Sequence, residues 1–259
     1  MLKCKVLFFA TLFSVTLAYP LERCSVDLTH PFGASTIHNP IVKRFTLDYI
    51  LNNTVENGYW VQIEEYSSST HVGTHIDAPA HFSKGGRTVD QLEFTELILP
   101  AAVVDITERA KTDSDAGLTV QDLLDWESKT GKSLNGTIVL LRSGWSKLWS
   151  NRTAFLGSAG DDTLLFHWPG FTIEAAQWLV DNRAIKAIGT ESISLDIGTE
   201  REFMVHRIIL PNDIFGLENV ANLDQLPIYG ATLYVMPMKM ERGSGGPTRL
   251  FATYPNVIF

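Results

Sequence analysis

The stretch Thr172–Gly189, TIEAAQWLVDNRAIKAIG, joins a helix to a buried strand, and that pairing decides the fold class. Thr172 can cap the helix, Glu174 sits in its first turn, and Ile173, Ala176 and Val180 recur at i, i+3 and i+7, with Leu179 widening the apolar face. Ala184–Gly189 then reads as a short apolar run bounded by polar residues, the pattern of a strand covered on both faces. Working outward, Leu99–Ile106 (LPAAVVDI) and Thr137–Arg142 (TIVLLR) repeat that pattern. Thr119–Thr130 reads as a second helix, capped by Thr119 and stopped by Gly131. Toward the N-terminus, Ser25–Thr29 resembles a strand ending in a turn at His30–Gly33, and Tyr59–Glu64 alternates like a half-buried strand. These elements predict an α/β chain with a β-rich core and flanking helices, free of internal repeats.

With 259 residues, 45% hydrophobic and 19% charged, the chain has enough apolar material for one sizeable domain, and no Pro/Gly/Ser-rich linker divides it. A net charge of −8 with scattered basic residues argues against a grip on nucleic acid. Residues 1–18 have the make-up of a cleaved secretory signal: Lys3 and Lys5, then an apolar run from Val6 to Leu17, then the small residue Ala18. That run is too short for a membrane-spanning helix, which needs about 20 apolar residues. The expectation is a signal peptide over 1–18 and a secreted domain over 19–259, with no membrane partner after cleavage. Its 19 basic residues would face 29 acidic ones. Sequons at Asn52, Asn135 and Asn151 fit a glycoprotein of the secretory pathway, and Cys24 is left without a partner in the mature chain.

Three of the seven histidines fall in His71-Val72-Gly73-Thr74-His75-Ile76-Asp77-Ala78-Pro79-Ala80-His81. Chance would put about 0.3 there, and metal coordination is the natural reason for the excess. Imidazole nitrogens and a carboxylate suit Zn or Mn. The i, i+4 spacing of His71 and His75 matches helical zinc sites, but Gly73 and Pro79 argue against a helix and no glutamate follows His71. On an extended segment His75 and Asp77 project to one side, and a turn at Gly73 can bring His71 to the same point.

The signature His71-x-Gly-Thr-His75-x-Asp77-x-Pro79-x-His81 resembles that of the cyclase-like metal-dependent amidohydrolases, which include bacterial-type kynurenine formamidases and isatin hydrolases. Val26–Thr29, Pro169-Gly170-Phe171 and Gly189–Asp196 extend the resemblance over roughly residues 25–240. His206 and Glu218, twelve residues apart, stand at the family's spacing for a further pair. The resemblance implies a single swivelling β/β/α domain, usually a homodimer. It implies that His71, His75 and Asp77 bind one divalent ion, and that Asp77, His206 and Glu218 bind a second in formamidase-like members. In isatin hydrolase-like members a single Mn is implied. By the same resemblance His81 is the proton donor and acceptor.

The resulting expectation is a secreted hydrolase of non-peptide C–N bonds. N-formylkynurenine, a substrate of tryptophan catabolism, is the leading substrate. An isatin-type cyclic amide or lactone is the alternative, followed by a metal-binding protein without turnover. Trp60, Trp168 and Phe171 are candidate aromatic contacts for the small-molecule substrate. Two departures from the family stand out. Ile37–Ile41 lies where bacterial formamidases carry a pocket tryptophan, and Thr190-Glu191-Ser192 where many relatives read Asp-Thr-x-Ser.

Overall fold

The apolar runs become strands, and the amphipathic segments between them become the helices that cover the sheet. The computed structural model describes residues 23–256, and the expected signal peptide lies outside the described residues. The strands are β1 (Arg23–Asp27), β2 (Thr46–Thr54), β3 (Trp60–Ser67), β4 (His75–Asp77), β5 (Ile98–Asp105), β6 (Gly117–Leu118), β7 (Ile138–Arg142), β8 (Gly170–Phe171), β9 (Ala187–Thr190), β10 (Phe215–Glu218), β11 (Ala231–Pro237) and β12 (Gly245–Pro255). The α-helices are α1 (Thr107–Ala110), α2 (Val120–Thr130), α3 (Arg152–Leu156), α4 (Ile173–Asn182) and α5 (Met204–Ile209). Thr119 and Thr172 cap α2 and α4 through their side chains, as their sequence positions predict, and Gly131 ends α2 at φ +64°.

Eight strands form one sheet in the order β1-β12-β11-β5-β7-β9-β10-β4. The neighbours among β5, β7, β9 and β10 pair in parallel. β4 also pairs with the start of β12, which closes the sheet into a barrel-like ring. Closure explains the continuous apolar runs. Ala101, Val103, Ile138 and Leu140 fill the inside with Ile76, Leu217 and Leu233, while Ala102, Val104, Val139 and Leu141 face outward against Leu123, Trp126, Leu179 and Val205 of the helices. Strands buried on both faces read as unbroken hydrophobic stretches. Truncating Ile76, Ile138, Leu140, Leu141, Leu217 or Leu233 to alanine costs about 2–5 kcal/mol.

β2 and β3 behave differently. They pair only with each other, as an antiparallel ribbon apart from the main sheet. The half-buried strand expected at Tyr59–Glu64 is mostly exposed, with Tyr49, Ile50, Trp60, Ile63 and Tyr66 open to solvent. The alternation is present, but the eight-stranded sheet supplies no layer for its apolar face.

Candidate metal centre

β4 lies at the seam of the ring, between β10 and β12. Successive strand residues point to opposite faces, so Ile76 enters the inner core while His75 and Asp77 project outward together. Opposite them on β10, Glu218 pairs with His75 and Gly216 with Asp77. Gly73 takes φ +63°, and the ring of Phe32 would lie 2.6 Å from a Cβ there, so glycine is needed on both counts. The turn at Gly73 returns His71 to the same spot. Its Nδ1–H donates to Asp77 Oδ1 at 2.7 Å, and Ser244 Oγ lies 3.0 Å from its Nε2. His75 Nδ1–H donates to the Gly73 carbonyl at 2.9 Å, which leaves Nε2 as the free nitrogen.

The second set of donors arrives from far along the chain. α5 supplies His206, whose Nε2 lies 3.1 Å from Glu218 Oε1 and 3.4 Å from Asp77 Oδ2. His75 Nε2 lies 3.2 Å from Asp77 Oδ1 and 3.4 Å from Glu218 Oε2. Asp77 therefore stands between the two sets. Potential ligand atoms of His75, Asp77 and Glu218 all lie within 4.8 Å of one another, as do those of His71, Asp77 and His81.

Burial and mutual contact set the protonation of this cluster. Burial favours the neutral form of Asp77, but His75, His206 and His71 outweigh it and hold the carboxyl well below its ordinary range. Glu218 is pushed up, by burial and then by the charge of Asp77. For His75 burial acts downward, yet Asp77 and Glu218 hold it up to about 9. His206 is likewise raised, with Asp196, Asp77 and Glu218 overcoming burial.

His81 differs from these. Burial pushes it down to about 4 despite the charge of Asp77, so it is neutral at neutral pH. Its ring stacks on His71 with centroids 3.9 Å apart. Phe82 packs on both His81 and His206, and Phe203, 41% exposed, sits beside His206 and Phe82. The structure thus gathers His71, His75, Asp77, His81, His206 and Glu218 in one place.

The three aromatic candidates have different surroundings. Trp60 is 60% exposed on the ribbon. Phe171 is buried in the outer core against the helices, and Trp168 belongs to a third cluster with Phe155 and Phe166, its Nε1–H bonded to the Asp196 carbonyl. Among the described residues, Phe82 and Phe203 pack against His81 and His206 of this cluster. Phe82 was signalled only by following His81, and Phe203 by no local pattern.

These residues fit a divalent cation. His75 Nε2 and Asp77 Oδ2 are buried without hydrogen-bond partners, and both face the cluster. Buried polar atoms are as a rule paired, and what sets these two apart from other unpaired ones is that both face imidazole and carboxylate groups, the donor set of a coordination site.

A family profile described as "Putative cyclase" matches residues 26–197. The chain belongs to the cyclase family. As a member of it, the protein is a metal-dependent hydrolase. Among cyclase-family relatives, an isatin hydrolase of Roseibium aggregatum is 36% identical over 194 residues, covering 71% of this chain and 72% of the relative. A kynurenine formamidase of Bacillus cytotoxicus is 27% identical over 224 residues, covering 86% and 94%. A solved isatin hydrolase bound to the product analogue thioisatinate superposes with a TM-score of 0.82 at 31% identity, covering 91% of this chain and 94% of that one.

The departure at Glu191 acquires a structural reason. Its buried carboxylate accepts hydrogen bonds from the amides of Ser143 and Trp145 at 2.8 and 3.1 Å and from Ser146 Oγ at 2.8 Å. It thereby anchors the turn after β7. Ile37, at the other departure, is buried beside Trp145, Trp168 and Phe155.

Proposed function

We propose that the protein opens the C–N bond of a small cyclic aryl amide of the isatin type, using a divalent cation, Zn or Mn, held by His71, His75 and Asp77. The observation that carries this reading is the buried, unpartnered pair His75 Nε2 and Asp77 Oδ2, set beside a neutral His81 under an aromatic wall. A cation held there supplies Lewis acidity, polarising a carbonyl and lowering the pKa of a water. His81 is free to take the proton of a water as it attacks the carbonyl carbon, and to return that proton to the nitrogen as the C–N bond breaks. Phe82 and Phe203 offer ring faces for the aryl group and keep water from that side. The 36% identity to an isatin hydrolase, against 27% to a formamidase, supports the cyclic amide as the first reading.

N-formylkynurenine remains the second reading, supported by His206 and Glu218, which stand ready beside Asp77 for a second ion. Initial rates on isatin and on N-formylkynurenine, with Zn- or Mn-loaded and chelated protein, separate the two. Chelator-sensitive turnover of isatin with kcat/KM of about 10⁴ M⁻¹s⁻¹ or more is the expected result. Turnover of N-formylkynurenine alone would install the second reading.

We further propose that the protein acts outside the cell as a homodimer. The sequon residues Asn52, Asn135 and Asn151 are all exposed, which suits glycosylation. The apolar side chains of the β2–β3 ribbon suit a second copy, and β3 ends four residues before His71, so a partner gripping the ribbon would steady the metal loop. Sedimentation of the wild type and of Ile50→Asp tests the dimer: a variant that sediments like the wild type would remove the ribbon from the interface. Mass analysis of secreted protein tests cleavage after residue 18 and glycan attachment.

A further inference from the structure

Asp196 and the Pro169-Gly170-Phe171 segment belong to stretches that the mechanism leaves without a task. The side chain of Asp196 is buried and makes two hydrogen bonds, both to α5. Val205 N–H donates to Oδ1 at 2.6 Å, and His206 Nδ1–H donates to Oδ2 at 2.5 Å. The first holds the start of the helix, and the second holds the ring at its far nitrogen. His206 Nε2 is thereby turned toward Asp77 and Glu218.

Asp196 is itself held from behind. Phe171 N–H donates to the Leu195 carbonyl, Trp168 Nε1–H to the Asp196 carbonyl, and Gly198 N–H to the Trp168 carbonyl. Gly170 lets these two backbones touch, since a Cβ there would lie 2.5 Å from the Asp196 carbonyl carbon. The Leu195 amide also donates to Glu218 Oε1, so the same loop steadies both distant donors.

We infer that Asp196, braced by the 168–171 segment, is the positioning residue that keeps His206 in its Nδ1–H form with Nε2 as the ligating atom. The inference rests on the second reading above, in which His206 and Glu218 hold a second ion beside Asp77. A carboxylate on the far nitrogen of a ligating histidine fixes its tautomer and raises its basicity, and loss of such a partner costs about 10- to 100-fold in metal affinity. His75 solves the same problem with the Gly73 carbonyl, so its nitrogen is independent of Asp196.

The test is a competition titration of chelated protein with Zn²⁺ against a chromophoric chelator, alongside the Co²⁺ absorption spectrum and the Tm of the metal-free protein. Asp196→Asn keeps an oxygen for Val205 N–H but offers an amide N–H to His206 Nδ1, favouring the wrong tautomer. It should weaken the sites that His206→Ala weakens by about 10- to 100-fold and alter the Co²⁺ spectrum, with little change in Tm. In a His206→Ala background the same substitution should add nothing. Gly170→Ala, which displaces the Asp196 backbone and leaves its carboxylate intact, should show the same loss to a smaller degree. If His206→Ala weakens binding while Asp196→Asn binds Zn²⁺ like the wild type, the inference fails and the ligand assignment stands. If His206→Ala also binds like the wild type, the ligand assignment fails and carries the inference with it.

Discussion

The two halves of the centre are built by different means. His71, His75, Asp77 and His81 lie within eleven residues, and their geometry comes from local backbone: the positive φ of Gly73, the pleat of β4 and the Gly73 carbonyl behind His75. His206 and Glu218 are oriented by tertiary contacts, with Asp196 behind one and the Leu195 amide on the other. The local half needs β4, its turn at Gly73 and the start of β12 against His71, whereas the distant half depends on the loop after β9 being packed in place. Asp77 is common to both halves, and the His75–Glu218 approach and the ring of Phe82 also span them, whereas the Gly73 carbonyl supports only the first half and Asp196 and the Leu195 amide only the second.

Asp77→Ala should therefore have the largest effect. It removes a carboxylate that touches His71, His75 and His206, and metal content and turnover should fall together, with kcat/KM down by about 10³-fold or more, in keeping with the several kcal/mol of charge stabilisation a cation supplies. Metal analysis on the purified variant checks it; full metal content would show that the two halves do not meet at Asp77.

His81→Ala comes next and separates holding from turnover. Metal content should stay at the wild-type level while kcat falls by about 10²- to 10⁴-fold, the range for loss of a general acid–base. Loss of metal in this variant would make His81 a ligand, a role its proximity to His71 and Asp77 permits.

Gly245→Ala sharpens the comparison by striking the local half from across the seam. A Cβ at Gly245 would clash with His71 Cε1 and with the Ile76 carbonyl of β4, so the His71 ring and the strand beside it must shift. Zn²⁺ affinity should drop by about tenfold, and a competition titration checks it; unchanged affinity would mean that the His71–Asp77 contact carries little of the binding.

The smallest effect concerns acid stability beside the local half. His30 stacks on Trp149 at 4.1 Å, its amide N–H donates to Thr74 Oγ1, and burial pushes its side chain down to about 4. The unfolded chain, with an ordinary histidine near 6.5, binds more protons between those two values. The stabilisation is thus whole above pH 6.5, is lost as pH falls toward 4, and changes no further below. His30→Phe should flatten this part of the pH dependence of Tm relative to the wild type; an unchanged slope would trace the acid sensitivity to other groups.

The same division into local and distant explains what could be read from the chain. The helix caps at Thr119 and Thr172, the apolar strands and the turn at Gly73 follow from contacts within a few residues, and the sequence pattern carries them. Ser244 and Gly245 meet His71 only because β12 closes the ring on β4, 173 residues away in the case of Ser244, and no local pattern announces that closure. Phe203 reaches His206 through a left-handed turn at φ +54° that its residue type does not predict. The ribbon shows the opposite limit. Its alternation is correct for a strand, yet period alone does not say whether a covering layer exists, and the expectation of a half-buried strand at Tyr59–Glu64 failed for that reason.

The measurement that tests the central claim most directly is the recovery of isatin hydrolysis as chelated protein is titrated with Zn²⁺ or Mn²⁺, with bound metal counted at each point. Hydrolysis should be absent at the start, rise in proportion to metal bound, and level off when the centre around Asp77 is filled. Full turnover by protein stripped of metal would contradict the account.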